Sequence, residues 1–146
     1  MTQSDDLFTL LDRLIEARPL RAETAGPILG MALARDEAAS NPARAAFKGA
    51  GSKAPVSAAR VTQPASPVWG TAGHVVLEIG GASVNQADVI ARWGEEHRIV
   101  VPTPREPAGS PMALRFRHPW GTMSFVFPVD GEGLLRVQID EAEGGA

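Results

Sequence analysis

The chain contains no cysteine, only two lysines, and no long apolar run. Each absence removes a class of protein. Without cysteine there is neither a disulfide framework nor a thiolate nucleophile. Two lysines and twelve arginines stand against seventeen acids, a net charge of −3, so no overall basic field draws the chain to nucleic acid. No stretch approaches the roughly 18 apolar residues of a membrane-crossing helix. The first residues, Met1-Thr2-Gln3-Ser4-Asp5-Asp6, are acidic where a secretory or mitochondrial leader is basic. The expected setting is therefore the cytoplasm, with no membrane partner.

What is present supports one folded domain. Hydrophobic residues make up 44% of the 146, but alanine supplies 23 of them. Leu, Ile, Val and Phe contribute 34, above the roughly 20% level below which disorder is the better expectation. The core should be adequate and small.

Leu7, Leu10, Leu11, Leu14 and Ile15 recur at helical spacing, which predicts a helix over 5–17. Ser4 is its expected cap, Asp5 and Asp6 complement its dipole, and Pro19 stops it. Phe8 widens the stripe, as for packing on a sheet. A second helix is expected over 22–30, with Thr24 as cap, Pro27 in the first turn and Gly30 as terminator. Residues 31–35 fit either helix or strand. Between Asp36 and Pro67 the large apolar residues are Phe47, Val56 and Val61. That segment reads as strands over 44–49 and 56–63 or as a linker, and the strand pair gives its apolar residues a role.

The second half is plainer. His74 to Ile79 is a buried strand ended by Gly80-Gly81. Ser83 or Asn85 caps a short helix over 85–93, stopped by Gly94. Residues 98–101 resume an extended run, and four prolines between 102 and 111 mark a loop. Alternation predicts strands over 112–117 and 122–127, joined by His118-Pro119-Trp120-Gly121. A last strand carries Leu135, Val137 and Ile139. The expected fold class is α+β: N-terminal helices packed with an antiparallel meander sheet of five to seven strands and one inserted short helix.

Catalytic and metal chemistry find little support. His74, His97 and His118 lie 23 and 21 residues apart, without the local pairing of a metal site. Glu95-Glu96-His97 follows a glycine stop and reads first as a solvated loop. Gly49-Ala50-Gly51-Ser52-Lys53 has Ser and Lys in the wrong order for a phosphate loop, with Pro55 blocking the helix. Gly109-Ser110-Pro111 lacks the second glycine of a nucleophile elbow. No catalytic residue, metal ligand or cofactor is assigned.

Trp120 is more suggestive. It sits in a hairpin turn beside Arg115, Arg117 and His118, the composition of an interface hot spot. The bland alternative folds Trp120 back to staple the hairpin. Arg115 and Arg117 share the polar face of their strand, a cationic strip suited to an acidic partner. The acids between Asp130 and Glu143 either keep an edge strand soluble or contact a basic surface.

Thr24-Ala25-Gly26-Pro27-Ile28-Leu29-Gly30 and Gln86-Ala87-Asp88-Val89-Ile90-Ala91-Arg92-Trp93-Gly94 both read as short helices ending in an apolar residue and glycine. Helix, glycine stop and antiparallel strands in succession resemble β-lactamase-inhibitor-protein-like domains, and are similar to small bacterial immunity proteins that neutralise toxins. The cysteines of the secreted inhibitors are absent here. The resemblance implies a protein that binds another protein. The expected function is thus a non-enzymatic, immunity-type inhibitor that occludes a toxin or enzyme through Trp120, Arg115, Arg117 and His118. Two other functions stay open: a ligand-binding protein or enzyme with a cleft near His97, and a secretion chaperone or adaptor.

Overall fold

The computed structural model describes residues 3–51, 55–80, 84–94, 98–100, 111–128 and 133–143. Two helices come first, α1 (Gln3–Glu16) and α2 (Ala22–Leu29), followed by β1 (Ala34–Arg35), β2 (Arg44–Ala50) and β3 (Val56–Pro64). A short 3-10 helix (Pro67–Trp69) leads to β4 (His74–Ile79) and α3 (Gln86–Trp93). The chain closes with β5 (Arg98–Val100), β6 (Met112–His118), β7 (Gly121–Phe127) and β8 (Arg136–Glu141). The class is α+β, with an antiparallel sheet as expected. The strands form one eight-stranded sheet in the order β1-β2-β3-β4-β8-β7-β6-β5. It exceeds the expected count through β1, which has two residues.

This order is two four-stranded meanders rather than one. Each follows a short helix, α2 or α3, and they join edge to edge where β4 pairs with β8. The seam is apolar on its inner face, with Val75 opposite Ile139 and Leu77 opposite Val137, all four fully buried. Each such side chain contributes roughly 1.5–3 kcal/mol of burial. The helices share that inner face. Leu7, Leu11 and Leu14 of α1, Ala25 and Leu29 of α2, and Val89 of α3 belong to one core with Val61, Leu114, Phe116, Met123 and Phe125. Helix α1 is tied to α3 by Arg92 to Asp12 at 2.6 Å and by an edge contact of Phe8 with Trp93.

Local chemistry corrects several sequence expectations. Ser4 lies inside α1 and donates to the Asp88 carboxylate at 2.9 Å, so it joins two helices instead of capping one. Thr24 lies inside α2, whose N-cap is Arg21, and Pro27 falls in the helix body. Gly30 does end α2 in the left-handed conformation, at φ 67°. Asn85 caps α3, accepting from the Asp88 amide at 2.9 Å. Ser83, Ser52, Lys53 and the 102–110 loop lie outside the described residues. In the last strand Leu134, not Leu135, enters the core; Leu135 is 38% exposed because β8 begins one residue later.

The acidic end of the chain has a role that neither expectation gave it. β8 is central, so its acids do not protect an edge. Glu141 Oε1 accepts from the Leu20 amide at 2.7 Å and the Gly73 amide at 3.0 Å. Glu143 accepts from the Thr71 and Ala72 amides at 2.7 and 2.8 Å, which holds its carboxyl below the usual range. The two carboxylates pin the link after α1 and the link before β4 to the end of the central strand. Replacing Glu141 with alanine leaves two amides without their acceptor and should cost about 2 kcal/mol. Urea unfolding of Glu141→Ala measures this, and unchanged stability would refute the clamp.

Candidate functional site

Antiparallel register fixes which residues share a face. All three α-helices take the inner face, and no described α-helix lies on the other. A continuous row crosses that open face: Ala34, Lys48, Arg60, Val76, Gln138, Ser124 and Arg115, one residue per strand from β1 to β6, with Val76 and Gln138 half-buried, Ser124 buried, and Arg98 of β5 next in register. A neighbouring row carries Thr62, His74, Asp140, Thr122 and Arg117. Lys48, Arg60, Arg115 and Arg117 are exposed. Four steps of about 4.8 Å separate β3 from β6, so Arg60 and Arg115 stand about 19 Å apart on opposite wings of the face.

The partners of these cations are few. Lys48 Nζ lies 3.7 Å from Asp36 Oδ2, and Arg115 Nε donates to Ser124 Oγ at 3.4 Å. His74 Nδ1 and Asp140 Oδ1 pair at 2.7 Å in the middle of the face. Arg60 and Arg117 make no ion pair among the described residues. The face is therefore predominantly basic in a chain of net charge −3.

The four residues expected to form one contact surface are divided. Arg115 and Arg117 lie on the open face, and the structure lengthens their strip into the row above. His118 has the parity of Leu114 and Phe116 and turns to the helix side, half-buried. Trp120 is 8% exposed, which overturns its placement as an exposed tip. The reason lies in its surroundings. Arg18, from the link after α1, sits over the indole at 5.0 Å, and His118 stacks on it at 5.0 Å with rings 6° from parallel. Ala142, just past β8, donates its amide to the Trp120 carbonyl at 2.8 Å. Trp120 staples the hairpin to the sheet end. Gly121, at φ 153°, permits the turn to pack so closely: a Cβ there would stand 2.0 Å from the Asp140 carbonyl oxygen.

The exposed tryptophan is Trp69, 54% accessible beside Val68 at 82%. Its position after Pro67, in a segment between strands, is the signal that could have singled it out. Sequence reasoning also left Lys48 and Arg60 unassigned, since joining them to Arg115 requires the strand order.

His118 and Trp93 form a second polar locus. Their rings meet edge to face at 6.2 Å, and both Trp93 Nε1 and His118 Nε2 are buried without a hydrogen-bond partner among the described residues. Burial holds the His118 imidazole below its ordinary value of 6.5, and the nearby Arg18 guanidinium acts in the same direction. No cluster able to hold a metal occurs among the described residues. His74 and His118 take opposite faces of the sheet, while Glu95, Glu96 and His97 lie outside the described residues.

A concavity of about 460 Å³ opens on the basic face over β1 to β4, lined by Ala34, Lys48, Ala50, Ala58, Arg60 and Glu78 among others. Another, of about 450 Å³, lies against α2 between Pro27 and Phe47. No family model, curated protein or solved structure matches the chain. No described helix is long and apolar enough to cross a membrane.

The lowered pKa of His118 has a signed consequence. The folded state binds this proton less readily than the unfolded chain, so the contribution is intact above about pH 6.5 and is lost as pH falls through the folded value. His118→Phe retains a stacking ring without a titrating group. Its unfolding free energy should therefore decline less than the wild type's between pH 7.5 and pH 5. Parallel declines in denaturant titrations would count against this role.

Proposed function

We propose that this chain is a non-enzymatic protein-binding protein that receives an acidic partner on its open sheet face. The observation that carries this reading is the transverse row in which Lys48 and Arg60 stand on one wing and Arg115 on the other. Long cations held on a rigid sheet steer and orient an acidic surface more than they add affinity, and their effect weakens with salt. A span of about 19 Å between Arg60 and Arg115 suits a folded protein surface better than a small anion. Direct nucleic-acid recognition on this face would want several stacking aromatics, and the described open-face rows supply only His74, which is paired with Asp140.

The double succession of short helix, glycine stop and four antiparallel strands supports the likeness to β-lactamase-inhibitor-protein-like domains. It favours an immunity-type inhibitor acting by occlusion, with the partner a toxin or another enzyme. Of the four contact residues expected from sequence, Arg115 and Arg117 remain in this role. Trp120 and His118 support the fold instead.

Affinity capture from the native cell, followed by mass spectrometry, should identify the partner. The double variant Arg60→Glu/Arg115→Glu, with both changes at exposed positions, should retain the wild-type melting temperature within a few degrees. It should bind the captured partner at least tenfold more weakly, and wild-type binding should weaken as salt rises. An inhibitor also suppresses the captured enzyme at one-to-one stoichiometry. Undiminished binding by the folded double variant would overturn the assignment of this face.

A further inference from the structure

The open face is uneven. Over β7 and β8 the row adjoining the cations carries Val126, which is buried, and Arg136, which is half-buried. Over β2 and β3 the same row carries Ala50 and Ala58, directly opposite each other. Long neighbours around these short side chains leave the concavity of about 460 Å³. Its lining has a direction. Ala34, Ala50 and Ala58 offer an apolar floor, Lys48 and Arg60 stand along one side, and Glu78 of β4 stands at another.

We propose that this concavity is a recognition pocket for a partner segment in which an apolar side chain neighbours a carboxylate. The apolar group covers the alanine floor, where it displaces water from methyl groups. The carboxylate faces Lys48 and Arg60, the latter offering a planar donor fork suited to it. Glu78 repels a second carboxylate and so fixes the direction in which the segment lies. The inference rests on the protein-binding reading and deepens it, because it locates where the partner's anchoring residue enters. Arg115 and Arg117, on the other wing, lie outside this pocket and act at longer range.

The test uses the full chain and short capped peptides containing adjacent Asp and Leu, followed by amide chemical shifts. The Asp-Leu peptide should perturb Ala58 and Val76. A Lys-Leu peptide and an Asp-Ala peptide should each bind at least tenfold more weakly. Ala58→Leu fills the pocket without changing charge and should lower binding at least tenfold; Ala50→Leu, at an exposed position, serves if that variant does not fold. Glu78→Gln should admit a peptide with a second acid that the wild type rejects. Absent perturbation, equal binding of the Lys-Leu peptide, or indifference to both filled variants would overturn the pocket. A captured partner that is lost with Arg60→Glu/Arg115→Glu but kept by Ala58→Leu leaves the binding face standing and removes the pocket alone.

Discussion

Pairing of β4 with β8 is the constraint on which the rest of the structure depends, because it alone makes one sheet of two meanders. The pairing joins His74 to Asp140 and Leu77 to Val137, residues separated by most of the second half of the chain. Without it each meander would present a long apolar edge, an aggregation hazard that a central position removes. The partners are distant in sequence, so loop closure must be met before their burial is gained. The carboxylates at the end of β8 follow from the same placement. Glu141 and Glu143 reach the amides of Leu20, Gly73, Thr71 and Ala72 only because the last strand lies in the middle of the sheet.

The seam also determines which face is left open. Two antiparallel halves joined at β4 and β8 carry their helices α2 and α3 on one side, and α1 contacts α3 through Asp12, Ser4 and Phe8. The large apolar strand residues of the core, Val126 apart, then point toward that layer. The opposite face keeps its polar residues, and the register aligns basic ones from both halves into a single row. Stability and surface chemistry thus share a cause: the pairing that buries Val75 and Ile139 also sets Arg60 and Arg115 a fixed distance apart.

Much of the fold was legible in local periodicity. The strand over 74–79 matches β4, the alternation over 112–127 resolves into β6 and β7, and even the alanine-rich middle yields β2 and β3 near their expected bounds. Phe47, Val56 and Val61 were sufficient signal there, since alternation needs only a few large residues in a sheet covered on one side. Strand order was not legible. Nothing in the residues 135–139 distinguishes a central from an edge strand, because both alternate when one face is open. Asn85 caps α3 as its chemistry predicts, but two other caps failed for a related reason: Ser4 and Thr24 have the chemistry of caps, yet tertiary partners and neighbouring backbone claimed their hydroxyls.

The candidate site divides along the same line between local and long-range information. Parity already separates His118 from Arg115 and Arg117, since residues one apart in a strand point to opposite faces. Treating the four as one surface put composition ahead of geometry. The burial of Trp120 needed knowledge that Arg18 and Ala142, far away in sequence, arrive at the hairpin. The pocket over Ala50 and Ala58 depends on both kinds of information. Alanine in a strand reads from sequence as weak packing, yet opposite another alanine and between Lys48, Arg60 and Glu78 it becomes a floor. The same residue type that thins the core in the composition thereby shapes the surface, and it does so in the half of the sheet where Val126 and Arg136 have no counterpart.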